Sequence, residues 1–133
     1  MSDANVKLVQ SLYDAFKRGE IDTVVNAVTP DADWQVHGNP KDFPPIGRWR
    51  GQKGAQEFFR ILADNLEPTE FTPQEFHAAG DAVFALGRYD WKVRATGKPA
   101  GGQWCHVFTV KNGKVARFRE FTDTAAFATA SRQ

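Results

Sequence analysis

The stretch that decides the fold spans residues 109–123 and reads TVKNGKVARFREFTD. Its Asn-Gly dipeptide at 112–113 is the strongest short sequence signal for a β-hairpin, and strand-like runs flank it on both sides. Because successive side chains of a strand point to opposite faces, Phe118, Glu120 and Thr122 are expected on one face. The carboxylate then lies between two less polar neighbours, and the fold or the function has to account for it.

The first third of the chain is mainly helical. Apolar residues at helical spacing predict a helix that Ser2 or Asp3 caps and that stops at Gly19. The same spacing over 21–28 predicts a shorter second helix, which ends before Pro30.

The middle of the chain combines a strand, a loop and a third helix. The run at 31–38 predicts a short strand with Trp34 and Val36 on one face. A loop rich in Pro and Gly is expected at 39–51, and a third helix at 54–66.

The rest of the chain is typical of an antiparallel meander. The predicted strands cover 70–78, 82–95, 103–111 and 114–123, and the segment 96–102 is expected to be a flexible connection. Pro73 suits an edge strand or a bulge. A short terminal helix or tail follows at 124–130. Helices packed on one face of such a sheet predict an α+β domain that occupies residues 1–133.

The composition excludes several classes of protein. The chain has 133 residues, which is enough for one domain, and a net charge of +1, which gives no basic surplus for nucleic acid. No apolar run reaches the length of a membrane helix, and the N-terminus lacks the features of a signal peptide, so we expect a cytoplasmic protein. The single cysteine and three scattered histidines show no metal-ligand spacing, and we expect neither a metal nor a cofactor.

Three stretches and the order of the elements resemble SnoaL-like proteins of the NTF2-like superfamily. The stretches are W-Q-V-H-G at 34–38, W-R-G-x-x-G-A-x-x-F-F at 49–59 and H-V-F-T-V-K-N-G-K-V-A-R-F-R-E-F-T-D at 106–123. The resemblance implies a cone in which a strongly curved, mostly antiparallel mixed sheet wraps around three helices and encloses an apolar pocket. This superfamily includes ketosteroid isomerases, polyketide cyclases and limonene epoxide hydrolase, so the resemblance is specific for the fold and not for one reaction.

The resemblance to the isomerases does not extend to their catalytic residues. A ketosteroid isomerase uses a carboxylate base, a tyrosine and a protonated aspartate. The alignment places Val36, Leu12 and Cys105 at these positions, and none of these side chains has the required chemistry. A register shifted by one residue brings His37 and Tyr13 into play instead. We therefore expect a protein other than a standard ketosteroid isomerase.

Glu120 is the lead candidate for a catalytic group. Desolvation raises the pKa of a carboxyl in an apolar cavity, so Glu120 is expected to act as a general acid or base near neutral pH. The alternative is that Glu120 pairs with an arginine, Arg88 or Arg119, and only closes the floor of the pocket.

Two further residues are catalytic candidates. His37 ends the first strand and is expected either to shuttle protons at the pocket mouth or to bond a loop carbonyl. The hydroxyl of Tyr13 is expected to reach the pocket from the first helix, unless this aromatic residue is plain core. Cys105 is placed on the cavity side of its strand, and His106 is therefore expected to face away from the cavity.

The residues expected to contact a ligand come from the cavity side of the strands, from the third helix and from the Pro-rich loop, whose Trp49 is placed over the cavity entrance. They are Trp34, Val36, Trp49, Phe59, Tyr89, Trp91, Cys105, Phe118 and Thr122.

Three functions are compatible with this pocket. The first is an isomerase, cyclase or hydrolase that uses Glu120 to move a proton on an apolar carbonyl or epoxide substrate. The second is a module that binds a small apolar metabolite without turnover, and the third is a structural dimer with a vestigial cavity. The strands after residue 80 are apolar on both faces in places, which favours a homodimer through the outer face of the sheet. The alternative is a monomer whose terminal tail covers that face.

Overall fold

The computed structural model describes residues 2–133. Its elements follow one another in the order α1 (Ser2–Lys17), α2 (Ile21–Asn26), β1 (Val28–Val36), β2 (Gly47–Arg50), α3 (Gly51–Asn65), β3 (Leu66–Ala79), β4 (Ala82–Val93), β5 (Pro99–Lys111), β6 (Lys114–Thr122) and α4 (Thr124–Ala130).

The six strands form one sheet in the order β2-β1-β6-β5-β4-β3. Strands β1 and β6 are parallel, and every other neighbouring pair is antiparallel. Helix α1 packs against β3 and β4, and α3 packs against β1, so the helices cover the inner face of the sheet. This confirms the predicted α+β class with a mixed, mostly antiparallel sheet.

Helix α1 forms where predicted because its apolar residues fall on one stripe. Val9, Leu12, Tyr13 and Ala15 are buried, whereas the residues between them are exposed. In the sheet, the inward side chains of β4, among them Val83, alternate with side chains of the outer face. The core lies between this helical stripe and the inner face of the sheet.

A bulge sets the register of the β5–β6 hairpin. The turn is formed by Asn112 and Gly113, both with positive φ (52° and 77°), as the tightest hairpin turns require. Val110 pairs with Val115, but the next pair is Thr109 with Arg117, so that Ala116 has no partner residue on β5. One extra residue on one strand is the defining feature of a β-bulge, and it reverses the faces of all later residues relative to an unbroken ladder.

Several element bounds differ from the sequence-based expectation. The second helix ends at Asn26 and β1 begins at Val28, whereas the helix was expected to reach Val28 and the strand to begin at residue 31. Gly47–Arg50, expected as loop, forms the edge strand β2 because it pairs with β1, with Trp49 opposite Trp34. Strand β5 already begins at Pro99, inside the segment expected to be flexible.

Two local predictions agree with the structure. Pro73 lies on the edge strand β3 next to a register shift, where its missing N–H costs the sheet little. The segment after β6 is the helix α4, and the Asp123 side chain caps it by accepting a hydrogen bond from the Ala126 backbone N–H at 3.2 Å.

Gly51 combines a left-handed backbone conformation with a close approach to a neighbouring strand. Its φ is +71°, and a Cβ atom built at this position would lie 2.4 Å from the backbone oxygen of Pro30 in β1. Gly80, in the β3–β4 turn, also has a positive φ (+58°), but a Cβ atom there would meet nothing within 4 Å.

We therefore expect Gly51→Ala to destabilise the protein more than Gly80→Ala. Each substitution carries the left-handed backbone penalty of about 1–2 kcal/mol. Gly51→Ala adds an overpacking cost of about 1–3 kcal/mol, because the new methyl group clashes with backbone that cannot move freely. Urea unfolding of the two variants measures the difference, and equal losses would contradict the close approach of Gly51 to Pro30.

Candidate functional site

A cavity lies between the inner face of the sheet and helices α1 and α3. Phe43 and Ile46 from the segment before β2 and Phe127 of α4 also line it. The volume that the centres of water molecules can occupy in this cavity is about 90 Å³. This is room for several waters or a small organic molecule. The walls are largely aromatic and include Trp34, Phe58, Phe59, Phe71, Trp91, Phe108 and Phe118.

A chain of polar side chains crosses this apolar cavity with Glu120 at its centre. The Tyr89 hydroxyl lies 2.6 Å from Glu120 Oε2 and 2.7 Å from Thr122 Oγ1. On the other side, His106 Nε2 lies 3.2 Å from Glu120 Oε1, and His106 Nδ1 lies 2.6 Å from the Tyr13 hydroxyl. Five side chains from α1, β4, β5 and β6 are thus linked, and we call them the polar chain: Tyr13, His106, Glu120, Tyr89 and Thr122.

The hydrogen-bond directions follow from the number of protons available. A tyrosine hydroxyl has one proton and an ionised carboxylate has none, so Tyr89 donates to Glu120 and accepts from Thr122. His106 Nδ1 and the Tyr13 hydroxyl share a hydrogen bond whose direction depends on the His106 tautomer, and His106 Nε2 turns toward the carboxylate. The Nε2 atom is close enough to Glu120 for an ion pair but is not aligned for a hydrogen bond.

The electrostatic environment of Glu120 differs from the one predicted. Burial by itself raises the pKa of this carboxyl, but the adjacent His106 and the hydrogen bond from Tyr89 outweigh it, so that the pKa is lowered from its ordinary value. Glu120 is therefore ionised at neutral pH. The expectation of a raised pKa was wrong because it counted desolvation alone.

Burial also acts on the two tyrosines of the polar chain. It raises the pKa of Tyr13 and Tyr89 well above the ordinary value, and the negative charge of Glu120 raises both further. Both hydroxyl groups therefore keep their protons at neutral pH and remain hydrogen-bond donors.

Most of the residues selected from the sequence lie together in this cavity. They are Tyr13, Trp34, Val36, Phe59, Tyr89, Trp91, Phe118, Glu120 and Thr122. His37, Trp49 and Cys105 lie elsewhere.

Cys105 faces the outer side of the sheet, and His106 takes its place in the cavity. In an unbroken hairpin Cys105 would lie opposite Glu120, but the bulge at Ala116 moves His106 into that position. The sequence contains a signal for this shift in the spacing of two apolar residues. Val115 and Phe118 are three positions apart in the chain, and both are buried. Strict alternation cannot place both on one face, so an extra residue must lie between them.

His37 is on the outer face as well. Its ring stacks on Phe121 at 4.3 Å, with an interplanar angle of 11°. Burial lowers the pKa of His37, and the nearby Arg119 and Arg117 lower it further. Its backbone N–H bonds the Glu120 carbonyl at 3.0 Å, but its ring does not reach the polar chain, so the prediction of a proton shuttle at the pocket mouth was wrong.

Trp49 lies behind the cavity wall. It belongs to β2 and packs edge-on against Phe58 at 5.0 Å, and it does not cover an entrance. The arginine alternative for Glu120 is also wrong, since the carboxylate pairs with His106 while Arg88 pairs with Asp90 at 3.8 Å.

The remaining charged groups offer no metal site among the residues described. Within 2–133, no three His, Cys, Asp or Glu side chains cluster in a way that could hold a metal ion. No helix in the same range is long and apolar enough to cross a membrane.

Removing the Tyr89 hydroxyl should raise the pKa of Glu120. The hydrogen bond from Tyr89 stabilises the ionised carboxylate, so Tyr89→Phe makes protonation easier and moves the titration midpoint upward. Titration of the Glu120 side-chain carboxyl by ¹³C NMR should place the wild-type midpoint below 4.5 and the midpoint of the variant above the wild-type one.

Cys105→Ala is the control for this titration, since it changes the neighbour of His106 on the opposite face of β5. It should leave the Glu120 midpoint in place. A midpoint that Tyr89→Phe does not move would show that this hydrogen bond has no electrostatic effect.

Comparison with known proteins assigns the chain to a family. Two NTF2-like proteins of solved structure match it over nearly their whole length. The one from Burkholderia thailandensis E264 is 28% identical, with a TM-score of 0.88, and the match covers 100% of this chain and 99% of that one. The one from Burkholderia xenovorans LB400 is 26% identical, also with a TM-score of 0.88, and covers 99% and 98%.

A third structure, TerC co-crystallised with polyporic acid, shares the fold at 24% identity and a TM-score of 0.80, over 96% of this chain and 97% of that one. No curated protein sequence matches the chain. The family model described as the SnoaL-like domain matches residues 9–118, which is most of the chain. Together with the NTF2-like fold, this match shows that the chain belongs to the SnoaL-like domain family.

Proposed function

We propose that the protein binds a small, largely apolar molecule with a carbonyl group in the central cavity and moves a proton on it. The observation that carries this proposal is the Glu120 carboxylate. Tyr89 at 2.6 Å and His106 at 3.2 Å hold it in a cavity whose other walls are mainly apolar and aromatic. Such a cavity with a few convergent polar groups is the usual form of a small-molecule site.

The protonation states assign a role to each group. Glu120, with its lowered pKa, is ionised at neutral pH and serves as the base. Tyr13 keeps its proton and lies on the far side of His106 from the carboxylate. The base thus has His106 beside it and the Tyr13 hydroxyl beyond His106, an arrangement that suits the removal of a proton from a carbon next to a carbonyl group.

The proposed step conserves protons and electrons. The Glu120 carboxylate takes a proton from the carbon next to the carbonyl, the C–H electrons form a carbon–carbon double bond, and the carbonyl π electrons move onto oxygen. Tyr13 or His106 donates a hydrogen bond to that oxygen, which carries the developing charge. Return of the proton to a different carbon gives an isomer of the substrate and restores the carboxylate.

One observation favours the second candidate function, binding without turnover. The polar groups in the cavity are already paired with one another, so that a ligand has to replace one of these contacts before it meets a free polar atom. A wholly apolar ligand would leave the polar chain intact and would be bound without reaction.

Replacing the carboxylate by an amide separates these two functions. The assay uses a panel of cyclic β,γ-unsaturated ketones and epoxides in D₂O. Wild type should isomerise the ketones, or exchange their hydrogen for deuterium, about 100-fold or more faster than Glu120→Gln, because the amide cannot accept the proton. Mass spectrometry of the products measures both the rate and the deuterium content.

Glu67→Gln makes the same chemical change at an exposed site on β3 and should behave like wild type. Equal rates for wild type and Glu120→Gln would overturn the proton-transfer function. A molecule retained in native mass spectra of fresh protein, with no turnover of any ketone or epoxide, would establish binding alone.

We also propose that two copies of the chain associate through the outer face of the sheet. Phe121 is 40% exposed there, beside the outward-facing Phe84, Leu86 and Val107. The two ends of this face differ in net charge: toward β1, β2 and β6 Asp33 is outnumbered by Arg48, Arg117 and Arg119, whereas Glu70 and Glu75 lie on β3. A two-fold axis through the apolar centre would set the basic end of each copy against the acidic end of the other.

A charge placed on the apolar centre should prevent this association. We expect wild type to have the mass of a dimer by light scattering after size-exclusion chromatography, and Phe121→Asp to have the mass of a monomer, since the carboxylate would be desolvated in the interface. Ala95→Asp adds the same charge in the β4–β5 turn and should remain dimeric. A monomeric wild type at micromolar concentration would contradict the proposal.

A further inference from the structure

One branch of the polar chain leads from the cavity to the surface. Thr122 is the last residue of β6, and it lines both the central cavity and a groove on the outer side of the sheet. Its hydroxyl lies 2.7 Å from the Tyr89 hydroxyl and 3.5 Å from the backbone oxygen of Gln103, an exposed residue. Polar residues border this groove, among them Gln74, Glu75 and Gln103.

The other branch ends inside the protein. From Glu120 it passes through His106 to the Tyr13 hydroxyl, and within residues 2–133 that hydroxyl contacts no polar group beyond His106. Tyr13 is buried among the rings of Phe71, Phe76 and Trp104. Of the two branches, only the one through Tyr89 and Thr122 approaches bulk water.

We propose that the Tyr89 and Thr122 hydroxyls form a proton relay through which Glu120 exchanges its proton with water in the outer groove. The relay rests on the proposed function, since it gives the base a route to solvent when a bound molecule fills the cavity. The direct path to water is then closed, and a base without such a route could return its proton only to the bound molecule.

Each cycle of the relay carries one net proton from Glu120 to groove water. With Glu120 ionised, Thr122 donates to Tyr89 and Tyr89 donates to the carboxylate. Once Glu120 has taken a proton, the three O–H groups reverse, so that Glu120 donates to Tyr89, Tyr89 donates to Thr122, and Thr122 donates toward Gln103 or a groove water. A concerted shift then passes the Glu120 proton to Tyr89, the Tyr89 proton to Thr122 and the Thr122 proton to water. Each hydroxyl ends neutral, and Glu120 ends ionised.

The surroundings of the relay are compatible with this transfer. The two short contacts, 2.6 Å and 2.7 Å, are at the strong end for O–H···O hydrogen bonds. Leu86 and Phe121 of the proposed dimer interface also line this groove, so in the dimer the relay ends at the interface, where bridging water is common.

The test compares substitutions at two threonines that both line the cavity. Thr122→Val removes the relay hydroxyl with little change of shape, and Thr124→Val makes the same change in α4, outside the polar chain. The rate at which Glu120 gains and loses its proton is read from ¹³C NMR line shapes of its carboxyl across the titration, in protein saturated with benzene, an apolar probe that fills the cavity and leaves the polar chain intact. We expect this rate to fall about tenfold or more in Thr122→Val and to stay at the wild-type value in Thr124→Val.

Thr122→Ser separates the relay from a structural role of Thr122. Serine keeps the hydroxyl but loses the methyl group, so the exchange rate should return to near the wild-type value even if stability falls. An unchanged rate in Thr122→Val, or equal slowing in the serine and valine variants, would overturn the relay. The proposed function fails independently, if Glu120→Gln leaves turnover of the ketones unchanged.

Discussion

The bulge at Ala116 is the constraint on which the rest of the site depends. It changes the β5–β6 register by one residue, and through that single change His106 rather than Cys105 faces Glu120. Without it the carboxylate would lie opposite a thiol and would lack its ion-pair partner. The polar chain thus depends on a backbone feature several residues away from any of its members.

A carboxylate inside an aromatic cavity is costly unless it is paired and hydrogen-bonded. Here the carboxylate lies on β6 and the compensating side chains come from two further strands: β5 supplies His106 and β4 supplies Tyr89. Since these strands are neighbours in the sheet, their inward side chains meet at hydrogen-bonding distance without a loop to position them. Sites built on such rigid elements hold their geometry well, and the lowered pKa of Glu120 is the electrostatic result.

The two faces of the sheet have different chemistry because successive side chains of a strand point to opposite faces. Glu120 and Phe118 face the cavity, and Arg117, Arg119 and Phe121 face outward. His37 also faces outward, where its ring stacks on Phe121, so it belongs with the proposed dimer surface and not with the cavity. Thr122, at the end of β6, borders both sides, which is why it can connect them.

The sequence by itself determined the α+β class, the hairpin at Asn112-Gly113, the apolar stripe of α1, and the inward placement of Phe118, Glu120 and Thr122 within β6. These features depend on local periodicity and turn chemistry, which neighbouring residues encode. Only the tertiary structure decided what lies across from Glu120, because a pairing partner depends on the register between two strands, and one bulge reverses it. The direction of the Glu120 pKa shift followed from that pairing, since desolvation acts on a residue alone, whereas the opposing effect of His106 required its position in space.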